Sequence, residues 1–278
     1  MKNLKKPTHL DHHVEIDNII AAKTKKIFKD ELEMLKPHIH DRYRKYIKEF
    51  DLNNLISVSD SYHVGNKSLV SCYSSGGVKI AAIKKAITDL QDEFSNEKCM
   101  YCQIKDPDSF DHYLPKDSYP EFSALALNLV PCCITCNMKK DEYWKESGEI
   151  GIINFYLNAL PNAQFLFVGI NSNPLDETPI ISFEIKNVTH IDPDLFKIIQ
   201  KHYKRLKLID RYNECGRKEI SECRRTLKSY GRNSSIEDNM VNIMDYATQL
   251  KNDFGENYWK SIFYDGISRE KDIIKQLK

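Results

Sequence analysis

The sequence predicts an α+β protein that is mostly α-helical, with a small cysteine-clasped core flanked by helical regions and a C-terminal β-hairpin. Three observations carry this. Apolar residues recur at three- and four-residue steps through both ends of the chain, the period of a one-sided helix. Two β-rich runs, QFLFVGI (164–170) and PIISFEI (179–185), flank the turn-like spacer NSNPLDET. Five of the eight cysteines, Cys99, Cys102, Cys132, Cys133 and Cys136, fall in one short stretch, while Cys72, Cys215 and Cys223 stand apart.

In chain order, Ile16, Ile19, Ile20, Ile27, Phe28, Leu32 and Leu35 predict an amphipathic helix over 14–36, which Pro37 should end. Ile39, Tyr43, Tyr46, Ile47 and Phe50 predict a second over 38–50. The Asn-, Ser- and Gly-rich stretch 51–78, with SSGG at 74–77, reads as a loop or linker with room for a short strand. Ile80, Ile83, Ile87, Leu90 and Phe94 form one face of a third helix. Beyond the hairpin, helices are expected at 193–213, 217–230 and 236–252, with a last one ending near Leu277. This divides the chain into a helical region 1–95, the cysteine-rich core 96–147 and an α-rich region 148–278 that contains the hairpin.

Among the 278 residues, 41 Lys and Arg face 40 Asp and Glu, a net charge of +1 that excludes a uniformly basic coat gripping nucleic acid by charge alone. No apolar run approaches the ~20 residues of a membrane helix, and no apolar stretch follows the lysines of MKNLKK to make a signal peptide. A cytoplasmic protein without membrane contact is therefore expected. In a reducing compartment, clustered thiols read as metal ligands rather than disulfides.

Cys99/Cys102 and Cys133/Cys136 are two CxxC pairs. Each can bend a knuckle that aims both sulfurs at one ion, and together they offer the closed tetrahedral set that Zn²⁺ prefers. Cys132 is one thiol too many; the CxxC spacing assigns Cys133, although Cys132 could substitute. Between the pairs lie adjacent Asp111 and His112 in a strand-like context, Lys116, and Asn128 ahead of another apolar strand; a helix near Cys133 then carries Asn137 and Lys140. A strand, a strand and a helix closing on one another would gather Asp111, His112, Asn128 and Asn137.

This constellation, CxxC, DHxxPK and NLxPxCxxCNxxK over about 42 residues (99–140), resembles the HNH or ββα-metal endonuclease family in its zinc-knuckle subgroup. The resemblance implies a zinc-stapled ββα core that cleaves DNA to 5′-phosphate and 3′-hydroxyl ends. Chemistry agrees with the residue types. Phosphodiester hydrolysis needs a base for water and a cation to offset phosphoryl charge. His112 is the candidate base, since neutral imidazole takes a proton near pH 7. Asp111 offers a hard oxygen for Mg²⁺ or Mn²⁺, and Asn137, where the family has His or Asn, a second and neutral ligand on the helix. Asn128 would hydrogen-bond backbone near His112 and fix its ring, and Lys140 and Lys116 would reach substrate phosphate. Large unmatched flanks further resemble nuclease subunits of bacterial anti-phage systems of the Septu type, sometimes retron-linked, which implies an ATPase partner. The chain itself has no GxxxxGK[ST] motif.

The same residues also admit a non-catalytic, zinc-stapled nucleic-acid-binding or adaptor module, and RNA is an alternative target. His9, His12 and His13 read as part of a polar tail, and His38, His40, His63, His190 and His202 as surface or capping residues. Cys72, Cys215 and Cys223 read as buried small side chains. Lys23, Lys25, Lys26 and Lys29 suggest a solvated helix face. Charge is nevertheless uneven. Segment 197–232 holds twelve Lys and Arg against four acids, while 99–147 holds five lysines against eight acids. The first could line a phosphate backbone or be solvated; the second needs a metal to hold a polyanion.

Overall fold

A computed structural model describes residues 1–48, 66–173, 178–188, 190–229 and 234–278, and divides them between two compact units. The expectations for Phe50, for residues 51–65 including His63, and for Tyr230 and Arg232 lie outside the described residues.

The first unit, Asn3–Ala159, begins with α1 (His12–Ala21), whose N-cap Asp11 accepts from the His13 and Val14 backbone N–H groups. The single helix expected over 14–36 is broken instead. The Ala22 N–H turns back to Asn18 and Ile20, and α2 (Lys26–Lys48) starts afresh. The break lets the chain reverse, so that Ile16, Ile19 and Ile20 of α1 and Leu32, Ile39, Tyr43 and Tyr46 of α2 are all buried; Ile27, counted in the stripe, is 67% exposed. Pro37 does not end a helix but lies within α2. An interior proline costs roughly 3 kcal/mol. Burial of Leu32, Ile39, Tyr43 and Tyr46 on either side of it offsets that cost at roughly 1.5 kcal/mol or more per large side chain.

The described part of the expected loop, 66–78, is helical. In α3 (Lys67–Ser74) Asn66 caps the N-terminus through Leu69 N–H, and α4 (Gly77–Asp89) follows at once. The glycines are a helix corner rather than a linker: a Cβ on Gly76 would lie 2.3 Å from Ile80 Cγ1 and 2.4 Å from the Cys72 carbonyl oxygen, and Gly77 has φ +52°. Ile80, Ile83 and Ile87 are buried as their spacing predicts. A short α5 (Glu93–Glu97) leads to β1 (Ser109–His112), 3₁₀ turns at Pro120–Phe122 and Ala126–Asn128, β2 (Leu129–Cys132), α6 (Ile134–Lys140) and the two-residue strands β3 (Lys145–Glu146) and β4 (Glu149–Ile150). β1 and β2 pair antiparallel with His112 opposite Leu129, so the strand, strand and helix expected from sequence are present. Helix α2 braces the 3₁₀ turn beside them: Arg42 forms a buried ion pair with Glu121 at 2.9 Å, and Tyr43 and Tyr46 pack on Phe122.

The second unit, Met1–Lys2 with Leu160–Lys278, contains the expected hairpin, β5 (Leu166–Asn171) paired antiparallel with β6 (Ile180–Ile185). Along β6, buried Ile181 and Phe183 alternate with exposed Ile180, Ser182 and Glu184, a period of two. The next helices divide differently from expectation. α7 (Pro193–Arg205) stops at Leu206 and Lys207, where Lys207 takes φ +51°, and α8 (Leu208–Ser229) runs without interruption through Gly216. Gly216 is a packing position, because a Cβ there would come within 2.8 Å of Ile181 on β6. α9 (Ile236–Phe254) opens on a Ser235/Asp238 capping box. The expected last helix is two, α10 (Trp259–Arg269) and α11 (Lys271–Leu277), parted at Glu270. No described helix is long and apolar enough to cross a membrane.

Candidate metal centre and active-site cavity

The Sγ atoms of Cys99, Cys102, Cys133 and Cys136 lie within 4.8 Å of one another, all buried. A tetrahedron with Zn–S arms of about 2.3 Å has edges of about 3.8 Å, and Cys102 to Cys133 measures 3.9 Å. The first knuckle closes through the Gln103 N–H to the Cys99 carbonyl with Gln103 at φ +53°, the second through the Cys136 N–H to the Cys133 carbonyl. Burial, then contacts with the other three sulfurs, pushes the Cys99 thiol well above its usual range, so a thiolate there needs a cation beside it. The four cysteines are thus positioned to bind a metal ion, as a structural zinc requires. Cys132 stays outside: it points to Ser109 Oγ at 3.5 Å, and burial pushes its thiol up to about 12.

Adjacent strand residues face opposite ways, and β1 separates Asp111 from His112 accordingly. Asp111 faces Tyr101 and α6. Its Oδ2 accepts the Tyr101 hydroxyl at 2.6 Å and lies 2.9 Å from Lys140 Nζ, with Oδ1 3.2 Å from the same ammonium. Burial raises the Asp111 carboxyl, while Lys140 and Tyr101 hold it back. Lys140, expected to reach out to substrate, is instead fully buried; its ammonium also donates to the His112 carbonyl at 2.8 Å. An ammonium so placed cannot meet a phosphate. It locks α6 to β1.

His112 faces the other way, with Nε2 2.9 Å from the Ser123 carbonyl oxygen and its ring 4.3 Å from that of Tyr73, edge-on. A carbonyl only accepts, so Nε2 carries the proton and the lone pair sits on Nδ1. Burial depresses the imidazole to about 3, which keeps it neutral at physiological pH. Fully buried Asn128 holds the surrounding backbone. Its Oδ1 accepts the Leu114 N–H at 2.8 Å, and its Nδ2 donates to the Leu114 and Phe122 carbonyls at 3.0 and 3.2 Å. It thereby ties the segment after His112 to the segment that presents Ser123. Ser123 is fixed in turn by its hydroxyl on the Leu69 carbonyl, 2.8 Å away.

Asp111, His112, Asn137 and Lys116 share a cavity of about 790 Å³. Asn137 is half-buried, with Nδ2 at 3.3 Å from the Phe110 carbonyl and 3.4 Å from Ser109 Oγ. Lys116 is paired with Asp117 at 2.9 Å. Asn128 and Lys140 lie behind the wall. Sequence reasoning missed Tyr101, Tyr73, Lys84 and the Ser123 carbonyl. Tyr101 was visible between the first two cysteines, whereas a backbone carbonyl has no sequence signature.

The remaining expectations fare unevenly. His12 and His13 belong to α1 and are no polar tail: His12 is buried, and burial pushes it down to about 4. His202 is fully buried rather than superficial, and His40 pairs with Asp17 at 2.9 Å. Cys72 and Cys223 are buried; Cys215 is half-buried. Of the lysines expected on a solvated helix face, Lys23 lies between α1 and α2 and donates to the Ser71 carbonyl in a part-buried contact. In the basic segment, Lys197, Lys218 and Arg225 pair with nearby acids. Arg217, Arg224 and Lys228, at steps of seven and four, form one stripe on α8 with no ion pair among the described residues.

No family model matches the chain, and no solved structure matches it. Protein ea31 of Escherichia phage lambda is 28% identical over 199 residues, 65% of this chain and 64% of that protein. Septu protein PtuB of Bacillus thuringiensis is 42% identical over 67 residues, 22% of this chain and 25% of that protein. The chain thus spans less than two thirds of the length of either relative, and its similarity to the Septu protein is confined to a segment.

Proposed function

We propose that this chain is a metal-dependent endonuclease of the HNH type that hydrolyses phosphodiester bonds in DNA, with His112 as general base, and that it serves in anti-phage defence. One observation carries the reading. His112 is held in a single tautomer by the Ser123 carbonyl, with the Nδ1 lone pair left to act, in a cavity shared with Asp111 and Asn137. His112 would take the proton of the attacking water, and Asn128 would keep the ring in place by tying Leu114 to Phe122. Asp111 and Asn137 would hold Mg²⁺ or Mn²⁺. Both residues line the cavity and carry hard oxygen donors, and Asp111 Oδ1 keeps lone-pair sites beyond its 3.2 Å contact to Lys140. A divalent ion bound there supplies charge compensation for the phosphoryl oxygens. Zinc in the four-cysteine site would staple the fold.

The α8 stripe of Arg217, Arg224 and Lys228 supports a backbone-holding surface for DNA. Similarity to a Septu protein supports the defence setting, in which an ATPase subunit would be the partner. The test is nicking of supercoiled plasmid with Mg²⁺ or Mn²⁺, with and without neighbouring gene products. Wild type should nick at least ~100-fold faster than zinc-loaded His112→Ala. Equal rates, or none under any condition, would show the catalytic reading to be wrong.

A second reading, a zinc-stapled nucleic-acid-binding or adaptor scaffold without catalysis, is favoured by the engagement of Asp111 with Lys140 and Tyr101. It predicts salt-sensitive DNA binding that survives His112→Ala, with no strand scission.

A further inference from the structure

The cavity beside His112 is acidic. Asp108, Asp111, Asp117, Asp141 and Glu142 line it against two lysines, Lys84 and Lys116. Lys116 is paired with Asp117, and Lys140 is buried behind the wall. Lys84, from α4, has no carboxylate partner among the described residues. Its ammonium sits over an aromatic wall, 4.5 Å from the centroid of Tyr73 and 5.5 Å from that of Phe110, and Tyr73 in turn packs edge-on against His112. Such a cation is held by ring faces rather than by an anion, so its charge remains available. Tyr73 on α3 and Lys84 on α4 reach this wall from either side of the Gly76–Gly77 corner.

We propose that Lys84 is the phosphate-binding cation of this cavity, gripping the backbone of a nucleic-acid strand next to His112, with Tyr73 as the platform that aims both. The proposal rests on the phosphodiester reading of the site, and it transfers to helix α4 the role that the sequence assigned to Lys140.

The test measures binding apart from cleavage. Full-length, zinc-loaded protein without added Mg²⁺ or Mn²⁺ is titrated with a fluorescent DNA duplex of about 20 base pairs across a salt series. Wild type is compared with Lys84→Met, which keeps the stem on the rings, Lys84→Arg, which keeps the charge, and Lys79→Ala, an exposed lysine of α4 that does not line the cavity. The expected result is a roughly five- to tenfold weaker affinity for Lys84→Met at low salt and a salt slope smaller by about one, with Lys84→Arg and Lys79→Ala near wild type. Thermal melting of the four proteins should coincide. An unchanged slope for Lys84→Met, a loss shared equally by Lys79→Ala, or no duplex binding by wild type overturns the proposal, whatever the nicking assay shows. A Lys84-dependent slope in a protein that never nicks plasmid upholds the phosphate site and removes only the hydrolysis.

Discussion

Lys140 and Asp111 form an ion pair at 2.9 Å with neither side chain more than 3% exposed, joining the helix and first strand of the ββα unit. Removing one partner of such a pair leaves the other charge buried and unmatched, which costs roughly 3–5 kcal/mol. Lys140→Met should therefore destabilise the protein by about that much in urea unfolding, and Lys140→Met combined with Asp111→Asn by less than the sum of the singles. Additive singles would mean that the pair is not coupled.

Zinc analysis should find about one ion per chain. Cys102→Ser and Cys136→Ser should lose it, whereas Cys132→Ser should keep it, because that thiol faces Ser109 and not the cluster. Loss of zinc from Cys132→Ser would reassign the fourth ligand.

Asn128→Asp is close to isosteric but exchanges the Nδ2 donor for an oxygen that would confront the Leu114 and Phe122 carbonyls. It should cost about 2 kcal/mol or more of stability. In the nicking assay, if His112 is the base as proposed, the loss should fall on kcat, with KM for plasmid within about twofold, because Asn128 is buried and binds only the Leu114 and Phe122 backbone. A pure KM effect would place Asn128 in substrate binding instead.

Buried His12 makes stability depend on pH. Its folded pKa of about 4 lies below the ordinary 6.5, so the unfolded chain binds the proton first and stability falls as pH drops from about 6.5 towards 4. The shift corresponds to about 3 kcal/mol. Melting curves for wild type and His12→Asn should converge across that window, the variant losing less on acidification. Parallel curves would remove His12 as a source of acid sensitivity.

How far the sequence carried depends on what kind of contact was at stake. Knuckle spacing is local, so Cys99, Cys102, Cys133 and Cys136 were legible, as were the alternation of β6 and the stripe Ile80, Ile83, Ile87. Helix boundaries set by tertiary packing were not. Pro37 survives inside α2 because buried neighbours outweigh it, and Gly76 and Gly216 are packing positions where composition suggested a linker and a break. For the site, residue types were legible but their facing was not. Strand alternation sends Asp111 and His112 apart, and the helix period turns Lys140 inward while Asn137 borders the cavity. Lys84 and Tyr73 arrive from a region that reads as partly loop, and nothing in their local pattern marks them.

Tyr101 stands between two metal-binding cysteines and also grips Asp111. The clasp and the carboxylate therefore share one side chain, so a perturbation that loosens the first knuckle is expected to reach Asp111 as well. With zinc in the four-cysteine site, as proposed, preparations of uneven loading are expected to behave as mixtures of intact and misaligned carboxylates rather than as uniformly weaker protein.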